Sequence, residues 1–319
     1  MNRSNIFPVR LWFEKNIDIS DTFSMLHIPT RKEYSRESED SVMNSIQNKI
    51  LTIMRVVDEI CERNGLTYYA IGGTCIGALR HHGFIPWDDD LDIAVPIEDW
   101  DRFWNIMERE LPHEYRIYCG NEIRHYRYIF NKIHDSRTSF IEKAEEKFPD
   151  AYKGIFIDVM PIAGIPETKS KRDRFYRKIL WFSRLNYIMR YPLSEMDSWK
   201  KIAFWPFVHL LEPLFSFHYF SDRWIKLLKT QPFYESKFTG YTWWANASDK
   251  LCFPFDFFNG TKRYSFEGIN ISCPINSDGY LKKQFGNYME FPPEDQRIDH
   301  HQVFVSINVP YNEYNGEEK

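Results

Sequence analysis

The sequence predicts an α/β fold, and three observations predict it. Apolar runs of strand length alternate with amphipathic stretches of helix length through the first half of the chain. Glycine and proline punctuate those runs, at Gly65, Gly83, Pro96 and Gly154 among others. A chain of 319 residues that is 43% hydrophobic and 27% charged also has the composition of a folded protein with a sizeable core, in one large domain or two small ones.

Residues 1–40 read as a polar arm containing "TRKEYSRESEDS". From Val42 to Asn64, the residues Ile46, Ile50, Ile53, Met54, Val57 and Ile60 recur at helical intervals, and Asn64-Gly65 supplies the stop. "LTYYAIGG" is a short strand running into a glycine turn, and "TCIGALRHHG" is a short helix closed by Gly83. "LDIAVP" is a strand ended by Pro96, since proline has no N–H to give to a ladder. "IEDWDRFWNIMERELP" is an amphipathic helix. "YRIYCG" and "RYIFNKIHD" follow as strands, and "GIFIDVMPIAGIP" is a third, bounded by Gly154 and Pro161. Residues 166–235 are mostly helical, basic at first and aromatic later, and residues 236–319 hold short strands and turns such as "YSFEGINISCP".

Charge and cysteine usage narrow the class. With 41 basic and 45 acidic residues the formal net charge is −4, so no nucleic acid partner is expected. Five cysteines, Cys61, Cys75, Cys119, Cys252 and Cys273, are odd in number and widely spaced with no CxxC pair. Reduced thiols in a cytoplasmic setting fit better than a disulfide framework or a thiolate zinc site. "MNRSNIFPVRLWFEKN" meets charges too early for a secretory signal. The aromatic stretch from Ile202 to Phe220 contains Pro206, His209, Glu212, Pro213 and His218, each costly in lipid. A buried or interfacial helix pair is expected there in place of a membrane span.

The chemistry is concentrated in "GFIPWDDDLDIAVP", where Asp88, Asp89, Asp90 and Asp92 fall within five positions just ahead of an apolar strand. Clustered carboxylates repel one another, and Asp is a poor strand former, so a bound cation is the simplest thing that makes the cluster tolerable. Residues two apart on an extended chain share a face. Asp88, Asp90 and Asp92 can therefore converge while Leu91, Ile93 and Val95 bury, and Asp89 points the other way and shapes the turn. Three carboxylates form a hard-oxygen set suited to Mg²⁺ or Mn²⁺. Upstream, Gly72-Gly73-Thr74 at a strand-to-helix turn offers backbone N–H groups to an anion. A phosphate cradle beside a divalent-metal set is the equipment of phosphoryl or nucleotidyl transfer.

Asp158 is the only charged residue in "GIFIDVMPI", and a lone carboxylate in an apolar strand needs a partner. If that strand lies beside "LDIAV", Asp158 reaches the same metals, or takes the proton from an attacking hydroxyl. Arg80 is a candidate phosphate contact, with a helix-surface arginine as the plainer alternative. Trp87 either braces the aspartate turn or stacks on a donor base.

Rival motifs fail on specific residues. An EF-hand needs Gly at its sixth position and Glu at its twelfth, where this chain has Ile93 and Asp99. A P-loop needs Lys-Ser/Thr where Ala78-Leu79 stand. A solvated acidic turn would suit two aspartates better than four that are framed by Gly-Gly-Thr and a buried Asp.

"IGGTCIGALRHHGFIPWDDDLDIAV" resembles the signature of the LicD (fukutin-like) phosphotransferases of the polymerase-β-like nucleotidyltransferase superfamily. "GIFIDVMPI" resembles that family's second acidic strand, and "FGNYMEFPPEDQRIDHH" its C-terminal segment. The resemblance covers about residues 45–165 and 262–302, leaving the helical middle and the N-terminal arm without a counterpart. It implies a nucleotidyltransferase-like mixed sheet flanked by helices. The expected parts are an arm (1–40), a catalytic core (41–165), a helical insertion (166–235) and a C-terminal part of the catalytic domain (236–319).

Family members are similar in moving a phospho-alcohol group, often phosphocholine from CDP-choline, onto a glycan hydroxyl. Carried over to matching positions, Asp90 and Asp92 are the metal pair, Asp88 a further ligand, and Asp158 a ligand or base. Gly72, Gly73 and Thr74 hold the donor phosphates, and His300 and His301 stand near the family's terminal histidine, with His301 the candidate substrate contact. Tyr241, Trp243 and Trp244 are candidates for a choline cage, though "YTWW" also reads as plain core. Such acceptors are surface glycans or lipid-linked precursors, which implies a cytoplasmic enzyme near the inner membrane leaflet. The basic run "KSKRDRFYRK" and the aromatic helices after it either rest on anionic lipid or form a solvated face. Alternatives that remain open are transfer of ribitol-phosphate, glycerol-phosphate or a sugar 1-phosphate, and a non-catalytic glycan-binding module on the same fold.

Overall fold

The structure, a computed structural model, describes residues 36–314 apart from 120, 121, 127, 129, 143, 144, 147, 149, 197, 211, 242–250 and 294–301. Helices and strands are numbered in chain order. A mixed sheet of β1 (Tyr69–Ala70), β2 (Asp92–Pro96), β3 (Tyr115–Tyr118), β4 (Asn131–Asp135) and β6 (Phe156–Ile165) runs in the spatial order β1-β2-β6-β4-β3. β2 and β6 are parallel, and the other neighbours antiparallel. β7 (Phe238–Gly240) pairs with the far end of β6, and β8 (Phe253–Pro254) pairs with β7. β5 (Ser139–Glu142) pairs separately with β11 (Gln302–Ser306). The last part of the chain therefore returns to the core. β9 (Thr261–Phe266) and β10 (Ile269–Pro274) form a hairpin. Its turn residues Glu267 and Gly268 have φ of 47° and 78°, the left-handed pair that a tight two-residue hairpin requires.

The helices are α1 (Arg36–Asn64), α2 (Gly72–Arg80), α3 (Trp100–Glu110), α4 (Lys169–Arg190), α5 (Trp199–Leu210), α6 (Tyr219–Leu228) and α7 (Ser277–Phe285). All six apolar residues that mark the α1 stripe are buried. Lys49 on α1 pairs with Asp135 of β4 at 3.8 Å. The odd-numbered residues of β4 thus face α1, and by alternation Lys132 and His134 face the other way. A second apolar cluster, including Tyr118, Tyr126, Phe148 and Met189, joins the helical middle to the sheet. Arg190 is buried there and donates to Asn186 Oδ1 and to the Ile123 carbonyl, each at 2.8 Å.

Two boundaries differ from expectation. α2 starts at Gly72, so the glycine pair forms its first turn and does not precede it. β6 does not stop at Pro161 but continues to Ile165. The amide of Asp158 points toward β2, so the nitrogen of Pro161, three residues on, points away from it. On that side pairing with β4 ends at Val159 and pairing with β7 begins at Ala163, so no ladder bond is lost. No described helix is long and apolar enough to cross a membrane.

Candidate active site

Parallel pairing of β2 and β6 sets Asp92 opposite Asp158. The Asp158 amide donates to the Leu91 carbonyl at 2.9 Å and fixes that offset. Across β4, Lys132 is in register with Asp158, and across β3, Tyr118 is in register with Lys132. Registered partners project from the same face, so Asp92, Asp158, Lys132 and Tyr118 form one row across four strands.

The start of α2 closes the row at the Asp92 end. Ile71 donates its amide to the Asp92 carbonyl at 3.1 Å, and the Asp92 amide donates to Thr74 Oγ1 at 2.8 Å. Gly72 has φ of 56° and gives its amide to the Tyr280 hydroxyl at 2.8 Å. Tyr280 is backed by Tyr241, which in turn contacts Gln284. A Cβ on Gly73 would stand 2.6 Å from Asp88 Oδ2, and one on Gly72 would stand 3.2 Å from Asp92 Oδ2. At Gly73 a carboxylate rests against the helix start, where the backbone dipole favours negative charge, and a side chain there would have to push it aside. Gln47 of α1 pins the same loop by donating to the Asp88 carbonyl at 2.9 Å.

The electrostatics follow from burial and like charge. Burial, then Asp90, Asp158 and Asp88, push the Asp92 carboxyl well above the ordinary carboxylate range, against the pull of Lys132. Burial also raises Asp158, to about 6, although Lys132 Nζ lies 3.1 Å from its Oδ1 and opposes the rise. Among the described residues, no three His, Cys, Asp or Glu side chains stand close enough together to hold one ion as placed. The donor set nonetheless has the chemistry of a hard-cation site: oxygen ligands only, partly desolvated and mutually repelling. Asp92 and Asp158, with Asp88 and Asp90 beside them, are the residues that would hold such an ion.

Other candidates fall in several places. Asp88 and Asp90 are half-buried and Asp89 is buried. Arg80, at the end of α2, donates to the carbonyls of Tyr288 at 2.5 Å and Glu290 at 3.1 Å, and its guanidinium lies over Phe291. It ties the C-terminal segment to α2. Trp87 packs edge-on against Phe291 with ring centroids 6.0 Å apart. Tyr241 is buried and supports the glycine turn through Tyr280. His300, His301, Trp243 and Trp244 lie outside the described residues.

Sequence reasoning missed Lys132, Gln47 and Tyr280. Lys132 carried a signal, because it stands in the apolar strand "RYIFNKIHD" much as Asp158 stands in its own. A cavity of about 850 Å³ lies away from the carboxylates. It opens at the outer edge of the sheet, lined by Tyr115, Arg116, Ile117 and Asn131 together with Trp104 of α3 and Lys226 of α6.

Residues 65–207 match the family described as LicD/FKTN/FKRP, nucleotidyltransferase domain. The chain is 28% identical over 264 residues to the lipopolysaccharide cholinephosphotransferase LicD of Haemophilus influenzae, covering 79% of this chain and 92% of that protein. It is also 42% identical over 45 residues to the ribitol 5-phosphate transferase FKRP of Homo sapiens, covering 14% of this chain and 9% of that protein. An uncharacterized protein of Rickettsia typhi is 32% identical over 107 residues, covering 31% of this chain and 33% of that protein.

Proposed function

We propose that this chain, whose residues 65–207 match the LicD/FKTN/FKRP nucleotidyltransferase domain, transfers a phospho-alcohol group, phosphocholine from CDP-choline, onto a hydroxyl of a glycan or of its lipid-linked precursor. The observation that carries this is the register of Asp92 with Asp158 on adjacent parallel strands. It brings two acidic motifs separated by 66 positions to one point.

In the proposed step an acceptor oxygen attacks the phosphorus that bears choline. A new P–O bond forms, the anhydride P–O bond breaks, and CMP leaves with the bonding pair. In this reading Asp158 takes the hydroxyl proton on Oδ2, its Oδ1 being held by Lys132. Lys132 holds Asp158 in position, and Thr74 fixes the backbone of Asp92. A donor phosphate would reach the N-terminus of α2 at Gly73 by displacing the Asp88 carboxylate that stands there. A divalent ion, Mg²⁺ or Mn²⁺, supplies charge neutralisation for the diphosphate when bound by Asp90, Asp92 and Asp158, with Asp88 in reach of the same loop. Most of the rate then comes from positioning and electrostatics.

The short match to a ribitol 5-phosphate transferase makes a ribitol-phosphate donor the first alternative. Melting-temperature shifts with Mg²⁺ across CDP-choline, CDP-ribitol, CDP-glycerol and sugar nucleotides identify the donor, and acceptor-dependent CMP release then tests transfer. Stabilisation by CDP-choline with CMP release supports the proposal. Stabilisation by sugar nucleotides alone contradicts it.

A further inference from the structure

The helical middle presents a surface that the reaction does not use. α5 buries Val208 but exposes Trp199, Ile202, Phe204, Phe207 and Leu210, the last two at 67% and 76%. Trp181 of α4 meets Phe204 with ring centroids 6.2 Å apart, and both are exposed, so the patch is continuous across the two helices. Exposed apolar side chains are common singly, but a contiguous group of this size marks a contact surface.

Charge on its border is one-sided. Lys171, Arg174 and Lys178 are exposed at spacings of three and four residues along α4, in a stripe that leads to Trp181. α5 itself, "WKKIAFWPFVHL", has no acidic residue. Two described acids beside the patch are engaged: Asp173 with Lys169 at 2.9 Å, and Glu212 with Arg124 at 2.5 Å and His209 at 2.8 Å.

We propose that this face docks on an anionic membrane surface. α5 lies in the interface with its aromatic and aliphatic side chains among the acyl chains, and the α4 stripe lies over the anionic headgroups. Tryptophans at such a boundary suit the interfacial layer. The cations decide between occupants, because a symmetric contact with a second copy would bury the same cations with no anionic counterpart. The inference rests on the surface alone and holds whichever donor the active site takes.

The test is flotation of the whole chain with vesicles of phosphatidylcholine, with and without phosphatidylglycerol, in the absence of substrate. Wild type floats with the anionic vesicles and is released by salt. Phe207→Glu with Leu210→Glu abolishes flotation, and each of Arg174→Gln and Lys178→Gln weakens it about fivefold. All variants keep the wild-type melting temperature. Wild type that stays with the soluble fraction overturns the proposal, as does flotation unchanged by both sets of substitutions. A concentration-dependent dimer in light scattering that Phe207→Glu dissolves would assign the face to a second copy and also overturn it.

Discussion

Lys132 Nζ lies 3.1 Å from Asp158 Oδ1 and 3.3 Å from the centroid of the Phe156 ring, buried at the middle of the row that begins with Asp92. The ammonium offsets part of the like-charge repulsion among the carboxylates and fixes the orientation of Asp158.

Removing one partner of such a pair leaves the other buried without compensation. Lys132→Met should therefore destabilise the protein by about 3–5 kcal/mol, and adding Asp158→Asn should restore most of that loss. Urea unfolding of the two single variants and the double variant measures the coupling. Additive losses would show that the pair contributes no specific energy.

Asp92 is expected to oppose stability while serving function. Its burial among Asp90, Asp158 and Asp88 is unfavourable to the charged form. Asp92→Asn should leave the melting temperature unchanged or raised, yet reduce transfer by at least about a hundredfold. Asp158→Asn should also cripple turnover. Near-wild-type CMP release by either variant would remove the residue from the chemistry.

The glycine turn gives a steric prediction. A methyl group at Gly73 must displace the Asp88 carboxylate, which would be 2.6 Å away. Gly73→Ala should lower kcat at least about tenfold with the fold retained. Thr74→Val should act in the same direction by freeing the Asp92 amide, with Thr74→Ser restoring activity. Unchanged kinetics in Gly73→Ala would show that the Asp88 carboxylate is not held where the structure puts it.

The carboxylate site was legible because its chemistry is written locally. Four aspartates, a Gly-Gly-Thr turn and a lone Asp158 are visible as residue types, and only strand adjacency was needed to join them. What stayed hidden depends on register and on distant segments. Lys132 meets Asp158 only once β4 pairs with β6, and Tyr280 reaches Gly72 from 208 positions away. Arg80 illustrates the reverse limit: its spacing from the glycines suggested phosphate, but the returning segment at Tyr288 and Glu290 supplies its acceptors. Pro161 read as a strand end because the gap between β4 and β7 cannot be seen without the pairing.

His134 predicts part of the acid response. Burial beside Tyr118, Tyr152 and Tyr311 lowers its pKa to about 3, against an ordinary value of about 6.5. Below that value the unfolded chain binds a proton that the folded chain refuses. The stability tied to the neutral imidazole is thus complete above pH of about 6.5 and is lost as pH falls, by at most about 1.4 kcal/mol per unit. His134→Gln should flatten the slope of unfolding free energy between pH of about 6 and 4 by close to one proton. Equal slopes in the two proteins would show that His134 titrates normally.

The central claim is that side-chain oxygens on β2 and β6 act together on one divalent ion, and Mn²⁺ binding followed by electron paramagnetic resonance tests it most directly. Wild type should take up one Mn²⁺ per chain in competition with Mg²⁺. Asp92→Asn and Asp158→Asn should each weaken that binding at least about tenfold while melting as folded proteins. Mn²⁺ affinity that is the same in wild type and both variants would contradict it.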